Sequence, residues 1–267
     1  MNDDSVMIVQ AESIKDRILR TALESGQPCH IGGSLSIVHI LATLFSSVIR
    51  LNTEDPQDPT RDIFILSKGH CVLAYYATLC EFGFMREDVL SSFQRNGSDL
   101  IAHPVKNETL GIESSNGSLG QGLSFGLGIA LGMQLDKMLD RRVYVLMGDG
   151  ECNEGSVWEA AGSAAEFNLC NLTAIVDLNG LRNDGSNSIY SDSLKLRNIW
   201  EAFGWNVVCV DGHHCNALKN AFDLAAKCSE RPTVILAKTI KGKGVKFMEG
   251  NNDWHHNRLT AKVFEQI

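Results

Sequence analysis

Residues 142–155 read RVYVLM and then GDGECNEG: Arg142–Met147, followed by Gly148-Asp149-Gly150-Glu151-Cys152-Asn153-Glu154-Gly155. After Arg142 the first run is apolar on both alternating faces and too short for a helix. That is the pattern of a strand buried on both sides. A second such run, Leu172–Leu178 (LTAIVDL), is followed at once by Asn179-Gly180-Leu181. Asp149 and Asn179 are 179 − 149 = 30 residues apart. One helix and one strand fill that interval and return the chain to the same sheet edge.

Outward from this pair the same alternation continues. Helical spacing of apolar residues covers 10–24 and 36–50, and 62–66 is a short apolar strand before a helical segment from about Gly69. A glycine-punctuated helix is expected over 119–139, another after Gly150 to about Asn168, and further helices over 194–203 and 215–228. Trp205–Val210 and Thr233–Ala237 are the remaining strands. Apolar strands alternating with helices predict an α/β fold: a doubly wound, mostly parallel sheet with helices on both faces. Ligands of such sheets sit beyond the carboxyl ends of the strands, which is where Asp149 and Asn179 fall. The pattern runs through residues 1–267 as a single domain, and Lys241–Asn257, rich in Gly, Lys, Asn and His, reads as loop.

Composition narrows the class. The chain has 267 residues, 44% hydrophobic and 21% charged, enough to bury a full core without staples. A net charge of −8 argues against nucleic acid or an anionic membrane as partner. The N-terminal residues lack a basic and then apolar leader, and no apolar run approaches the ~18 residues of a membrane span. Eight cysteines without a C-x-x-C pair read as small buried hydrophobes in a reducing, cytoplasmic setting.

The paired strand ends have a direct chemical reading. Magnesium takes oxygen ligands in near-octahedral geometry, usually one or two protein carboxylates plus phosphates and water. Asp149 offers a carboxylate, Asn179 an amide oxygen and Leu181 a backbone carbonyl. The glycines beside Asp149 allow close approach, and the start of the following helix offers N–H groups to phosphate. The constellation resembles the signature of enzymes that bind thiamine diphosphate with Mg2+ (or Ca2+ or Mn2+).

Four histidines extend the resemblance. His30 lies in His-Ile-Gly-Gly-Ser-Leu-Ser (30–36), His70 ends Leu-Ser-Lys-Gly-His (66–70), His103 precedes Pro104 and His255 follows Trp254. Between them runs Asn116-Gly117-Ser118-Leu119-Gly120-Gln121-Gly122-Leu123-Ser124. Together these motifs resemble the N-terminal, cofactor-binding subunit of a two-subunit transketolase. The resemblance implies a diphosphate-binding thiamine-diphosphate fold and transfer of a two-carbon ketol unit from a ketose to an aldose, the sugars or sugar phosphates of a pentose-phosphate type of metabolism. It implies that Asp149, Asn179 and the Leu181 carbonyl hold the ion and that Gly150 meets the diphosphate. It places His70 and His255 at the diphosphate and sugar funnel, Gly117 and Leu119 along the cofactor, and His30 and His103 at the first carbons of the donor. Glu154 and Glu159 match acidic residues that link cofactor sites across the subunit interface.

The resemblance further implies a C-terminal partner subunit carrying a pyrimidine-binding domain, which is not found in this sequence. The assembly expected is a heterotetramer of two copies of each chain. Departures are Cys29 and Ile31 around His30, and His256, where related subunits usually have Gly. Lys241 and Lys243 are read as solvated loop residues, His213 and His214 as loop residues, and His39 as structural. Alternatives within the cofactor class are a deoxyxylulose-phosphate-synthase-like protein or a specialised sugar ketolase. A non-catalytic regulatory homologue is a further alternative. A Rossmann dehydrogenase lacks its Gly-x-Gly-x-x-Gly here.

Overall fold

A computed structural model of the chain describes residues 3–138, 140–186, 190 and 192–267. In order, α1 (Asp3–Ser25), α2 (Ile31–Ser36) and α3 (Val38–Ser47) lead to β1 (Ile63–Leu66). Then come α4 (Val72–Glu81), α5 (Glu87–Leu90), α6 (Gln121–Leu135), β2 (Val143–Gly148), α7 (Gly155–Glu166) and β3 (Leu172–Leu178). A two-residue hairpin, β4 (Leu181–Arg182) and β5 (Gly185–Ser186), precedes α8 (Ser193–Ala202), β6 (Asn206–Asp211), α9 (Cys215–Lys227) and β7 (Thr233–Lys238).

Five strands form one parallel sheet in the order β1-β2-β3-β7-β6. Given that order, right-handed crossovers set the face on which each connecting helix lies. The passage from β1 to β2, β3 and β6 puts α6, α7 and α8 on one face. The return from β6 to β7 puts α9 on the other, beside α1, α3 and α4. The side chains of each strand alternate accordingly. Phe64, Leu66, Tyr144, Leu146, Ile175 and Ile235 enter the core under α1, α3, α4 and α9. Ile63, Ile65, Val143, Val145, Met147 and Val176 enter the core under α6, α7 and α8. Burying each such side chain stabilises the fold by about 1.5–3 kcal/mol, which explains why strands with no polar face are tolerated.

The expected elements are present with shifted ends. α6 begins at Gln121 because Gly120 takes a left-handed conformation (φ 84°), and it ends at Leu135; Leu139, at the far end of the expected helix, lies outside the described residues. The helix expected directly after Gly150 is first a 3-10 turn, Gly150–Asn153, and α7 starts only at Gly155. All eight cysteines are free thiols; Cys29, Cys71, Cys152 and Cys215 are buried, whereas Cys209 is exposed. Far from the sheet in sequence, Cys29 and Asn257 exchange backbone hydrogen bonds of 3.1 Å in both directions. That bridge fixes the segment before α2 against the segment carrying His255.

Candidate active site

The carboxyl ends of β1, β2, β3 and β7 open into a cleft of about 430 Å³. Its floor is organised by Asp177, fully buried in β3. Asp177 Oδ2 accepts from Ser36 Oγ at 2.7 Å, from Asn179 Nδ2 at 2.9 Å and from the Lys68 ammonium, and Oδ1 accepts from Thr239 Oγ1. Burial alone would raise the Asp177 carboxyl, but Lys68 and the two hydroxyls hold it below the ordinary carboxylate range. Lys68 is raised in turn: burial lowers it, but the Asp177 charge, Cys71 and the hydrogen bonds to both together outweigh that. With Asn179 Nδ2 occupied by Asp177, its Oδ1 is turned toward the chain that follows, where it accepts from Leu181 N at 3.0 Å.

Asp149 ties the two strand ends together. Its Oδ1 accepts from Gly150 N at 2.8 Å and its Oδ2 from Gly180 N at 2.7 Å. Burial, reinforced by Asp177, pushes the Asp149 carboxyl up to about 6 despite those two donors. A buried carboxylate next to a second one favours a cation. Among the described residues no three His, Cys, Asp or Glu side chains are grouped as a metal site. The available donors are instead one carboxylate, one amide oxygen and one carbonyl, on Asp149, Asn179 and Leu181. These hard oxygens fit magnesium and leave positions for phosphate and water. Gly148 lines the cleft as well, and a β-carbon added there would meet no protein atom within 4 Å.

The glycine-rich run is held by Glu151. This buried carboxylate accepts from Gly120 N at 2.8 Å, from Gly148 N at 3.2 Å and from Ser67 Oγ. A β-carbon at Gly120 would stand 2.5 Å from Ser156 Oγ and 2.6 Å from Glu154 Cβ, so no side chain fits. Gly117 and Leu119 thereby face the cleft, with Glu154 at its edge.

The opposite wall is made of imidazoles. His30 precedes α2, His70 sits in the 3-10 turn after β1, His103 lies in a loop and His255 follows the turn Asn252–Trp254. The His30 ring lies 5.0 Å from His70, 5.3 Å from His255 and 6.3 Å from His103, and His70 stacks 5.6 Å from His255. Burial pushes His30 down to about 3, helped by His256, His255, His103 and Lys241. Burial also pushes His255 down to about 4, with Lys241 next, and lowers His70 and His103. At neutral pH the wall is therefore a set of uncharged donor–acceptor rings. Lys241 Nζ lies 2.6 Å from His255 Nδ1 and 2.8 Å from Asn252 Oδ1. An ammonium has no lone pair, so it donates to Nδ1 and leaves the His255 proton on Nε2.

Eleven of the twelve residues singled out from the sequence line this cleft: His30, His70, His103, His255, Glu154, Gly117, Leu119, Asp149, Gly150, Asn179 and Leu181. Glu159 does not; it stands exposed on α7. Lys241 corrects the expectation of a solvated loop residue: it is 2% exposed and lines the cleft. Burial lowers its ammonium to about 8. Lys243 does pair at the surface, 3.5 Å from Glu249. His213 is more constrained than a free loop residue, its Nε2 accepting from Ile240 N at 2.8 Å and its ring 5.2 Å from His39. Sequence reasoning missed Lys68, Asp177 and Glu151. Asp177 carried a signal, being the only charged residue in its strand. His256 adds a fifth ring, 4.5 Å from His30.

Residues 11–267 match the family profile described as transketolase, thiamine diphosphate binding domain. One chain of the apulose-4-phosphate transketolase of Phocaeicola vulgatus is 38% identical over 97% of this chain and 91% of its own length. The 6-deoxy-6-sulfo-D-fructose transketolase subunit of a Clostridium species is 39% identical over 88% of this chain and 86% of its own. Human transketolase is 38% identical over 96% of this chain, which spans only 41% of that longer protein. Among solved structures, transketolase from Campylobacter jejuni superposes with a TM-score of 0.89 at 27% identity, over 98% of this chain and 42% of that one.

Proposed function

This chain belongs to the transketolase family through its thiamine-diphosphate-binding domain, and from that premise we propose that it is the cofactor-holding subunit of a two-chain ketol transferase. The observation that carries the reading is one cleft in which the Asp149, Asn179 and Leu181 oxygens face four uncharged imidazoles. Asp149, Asn179 and the Leu181 carbonyl would hold Mg2+, with Gly150 and His70 beside the diphosphate. When bound, thiamine diphosphate supplies the electron sink for cleaving the C2–C3 bond of a ketose.

The residues of this chain do the rest. Gly117 and Leu119 shape the wall along the cofactor. His30 and His103 orient the donor's first carbons and, being neutral, can accept a hydroxyl proton. His255, with its proton placed on Nε2 by Lys241, donates to a developing oxyanion. All 267 residues act as one diphosphate-binding unit. The pyrimidine side of the cofactor and most contacts to the substrate's anionic end fall to a partner subunit, in a cytoplasmic assembly of two copies of each chain. Supporting a partner, α6 carries no charged side chain and leaves Phe125 48% and Leu135 74% exposed. Glu154 and Glu159 would face that interface. Among the described residues no helix is long and apolar enough to cross a membrane.

The relatives' own names point to specialised ketoses, so the donor panel should include apulose 4-phosphate and 6-deoxy-6-sulfofructose beside ordinary ketose phosphates and pyruvate. Turnover is measured with thiamine diphosphate and magnesium on this chain alone and mixed with a candidate pyrimidine-domain partner. Activity only in the mixture, lost in Asp149→Ala, is the expected result. Activity in the rigorously purified single chain overturns the two-chain reading. Cofactor binding without turnover of any donor moves the reading to a regulatory homologue.

A further inference from the structure

Arg182 follows Leu181 directly in β4 and lines the cleft. Its stem lies across the cradle glycine: a β-carbon at Gly150 would stand 3.0 Å from Arg182 Cγ. The hairpin that carries it is anchored on both sides. Gly180 N donates to Asp149, and Asn252 Nδ2 donates to the Asn183 carbonyl at 2.9 Å. The side chain is thus presented to the cleft by a fixed backbone.

Its charge is under-used. Arg182 Nε is buried and has no hydrogen-bond partner among the described residues. The Asp184 carboxylate stands 3.4 Å from that nitrogen but is 73% exposed, and such a pair is screened and weakly held. The ammonium groups of the cleft are committed. Lys68 is paired with Asp177, and Lys241 donates to Asn252 and His255. A divalent ion shared between Asp149 and a diphosphate monoester leaves net negative charge at this end of the cleft. A guanidinium fork matches two phosphate oxygens in one plane, which an ammonium cannot do.

Resting on the cofactor reading above, the geometry points to Arg182 as a phosphoryl-binding residue that exchanges Asp184 for the terminal phosphate of the diphosphate. It thereby adds a cation to a cradle otherwise built of a carboxylate, carbonyl oxygens and glycine backbone. The hairpin is then part of the binding site.

The test is calorimetric titration of inorganic diphosphate with Mg2+ into the full chain, comparing wild type with Arg182→Ala, Arg182→Lys and Asp184→Asn. Loss of a charged hydrogen-bonding group predicts affinity about 10- to 100-fold weaker in R182A. R182K should recover part of it, and D184N should bind as tightly as wild type or tighter. Equal binding by wild type and R182A overturns the role of Arg182 and leaves the cofactor reading standing. A loss in D184N as large as in R182A also overturns it, because hairpin integrity and not the cation would then be responsible. Absence of diphosphate binding in all four chains overturns both readings.

Discussion

The two sides of the cleft solve opposite electrostatic problems. On the floor, Asp177 has four donors, Asp149 two and Glu151 three, so each carboxylate is fixed by hydrogen bonds before any ligand arrives. On the wall, His30 meets His70 and His255 edge to face while those two stack, and burial holds the rings neutral. Charge is locked in place on one side and withheld on the other. A buried floor of fixed charge suits an ion and a diphosphate. A wall of neutral rings suits hydroxyls and carbonyls, whose protons must move in either direction.

The largest effect should come from breaking the floor's central pair. Asp177→Asn leaves the Lys68 ammonium buried without its counter-charge, at a cost of about 3–5 kcal/mol. Denaturant midpoints measure this, and Lys68→Met combined with Asp177→Asn should regain at least half. A cost near zero for the single variant would mean that the pair does not organise the floor.

Asp149→Asn separates binding from stability. Metal-dependent cofactor affinity should fall on the order of 100-fold, read by calorimetry. The ligand-free variant should lose the pH dependence that this carboxyl gives to stability. A carboxyl raised from 3.8 to about 6 by folding contributes stability at low pH that is lost as pH rises through about 6. An amide in its place does not titrate, and its Nδ2 cannot accept from the backbone donor it faces. The wall has the reverse sign. His30, lowered from 6.5 to about 3, contributes stability above 6.5 that is lost as pH falls toward 3. Between pH 4 and 6 the two trends oppose each other in the wild type. Melting curves of Asp149→Asn over that range should therefore fall more steeply with acid than those of wild type. Parallel curves would erase the distinction between floor and wall.

His30→Asn tests the wall directly. Turnover by the reconstituted complex should drop about 10²- to 10⁴-fold, while diphosphate affinity of the chain stays within about twofold. A matching loss of affinity would move His30 to the floor in function. The smallest effect is expected at Glu159→Gln on the exposed face of α7. Chain stability should move by no more than about 0.5 kcal/mol, so any change in assembly with the partner can be read without a folding artefact.

The strand ends and their glycines are legible because local sequence dictates them. A buried parallel strand needs an apolar run, and the first residue past it falls at the carboxyl edge of the sheet. Four histidines are legible through their motifs. Lys68, Glu151 and Lys241 are not, because a charged side chain reads as solvated until its partner is known. The partners lie far off: Asp177 for Lys68, Gly120 for Glu151, His255 for Lys241. The 3-10 turn at Gly150–Asn153 reads as helix in the sequence because spacing cannot separate the two over four residues. Glu159, expected from the resemblance to lie at a subunit interface, stands on the exposed face of α7 outside the cleft.

The bridge between Cys29 and Asn257 also sets an order in time. The cradle of Asp149, Asn179 and Leu181 closes over 179 − 149 = 30 residues, whereas bringing His255 to His30 closes 255 − 30 = 225. Long closures carry more entropy and form late. A refolding or newly made chain should thus join the ends of β2 and β3 before it acquires the clasp that seats His255 against His30. If those histidines meet the sugar as proposed, selectivity is the last property to mature.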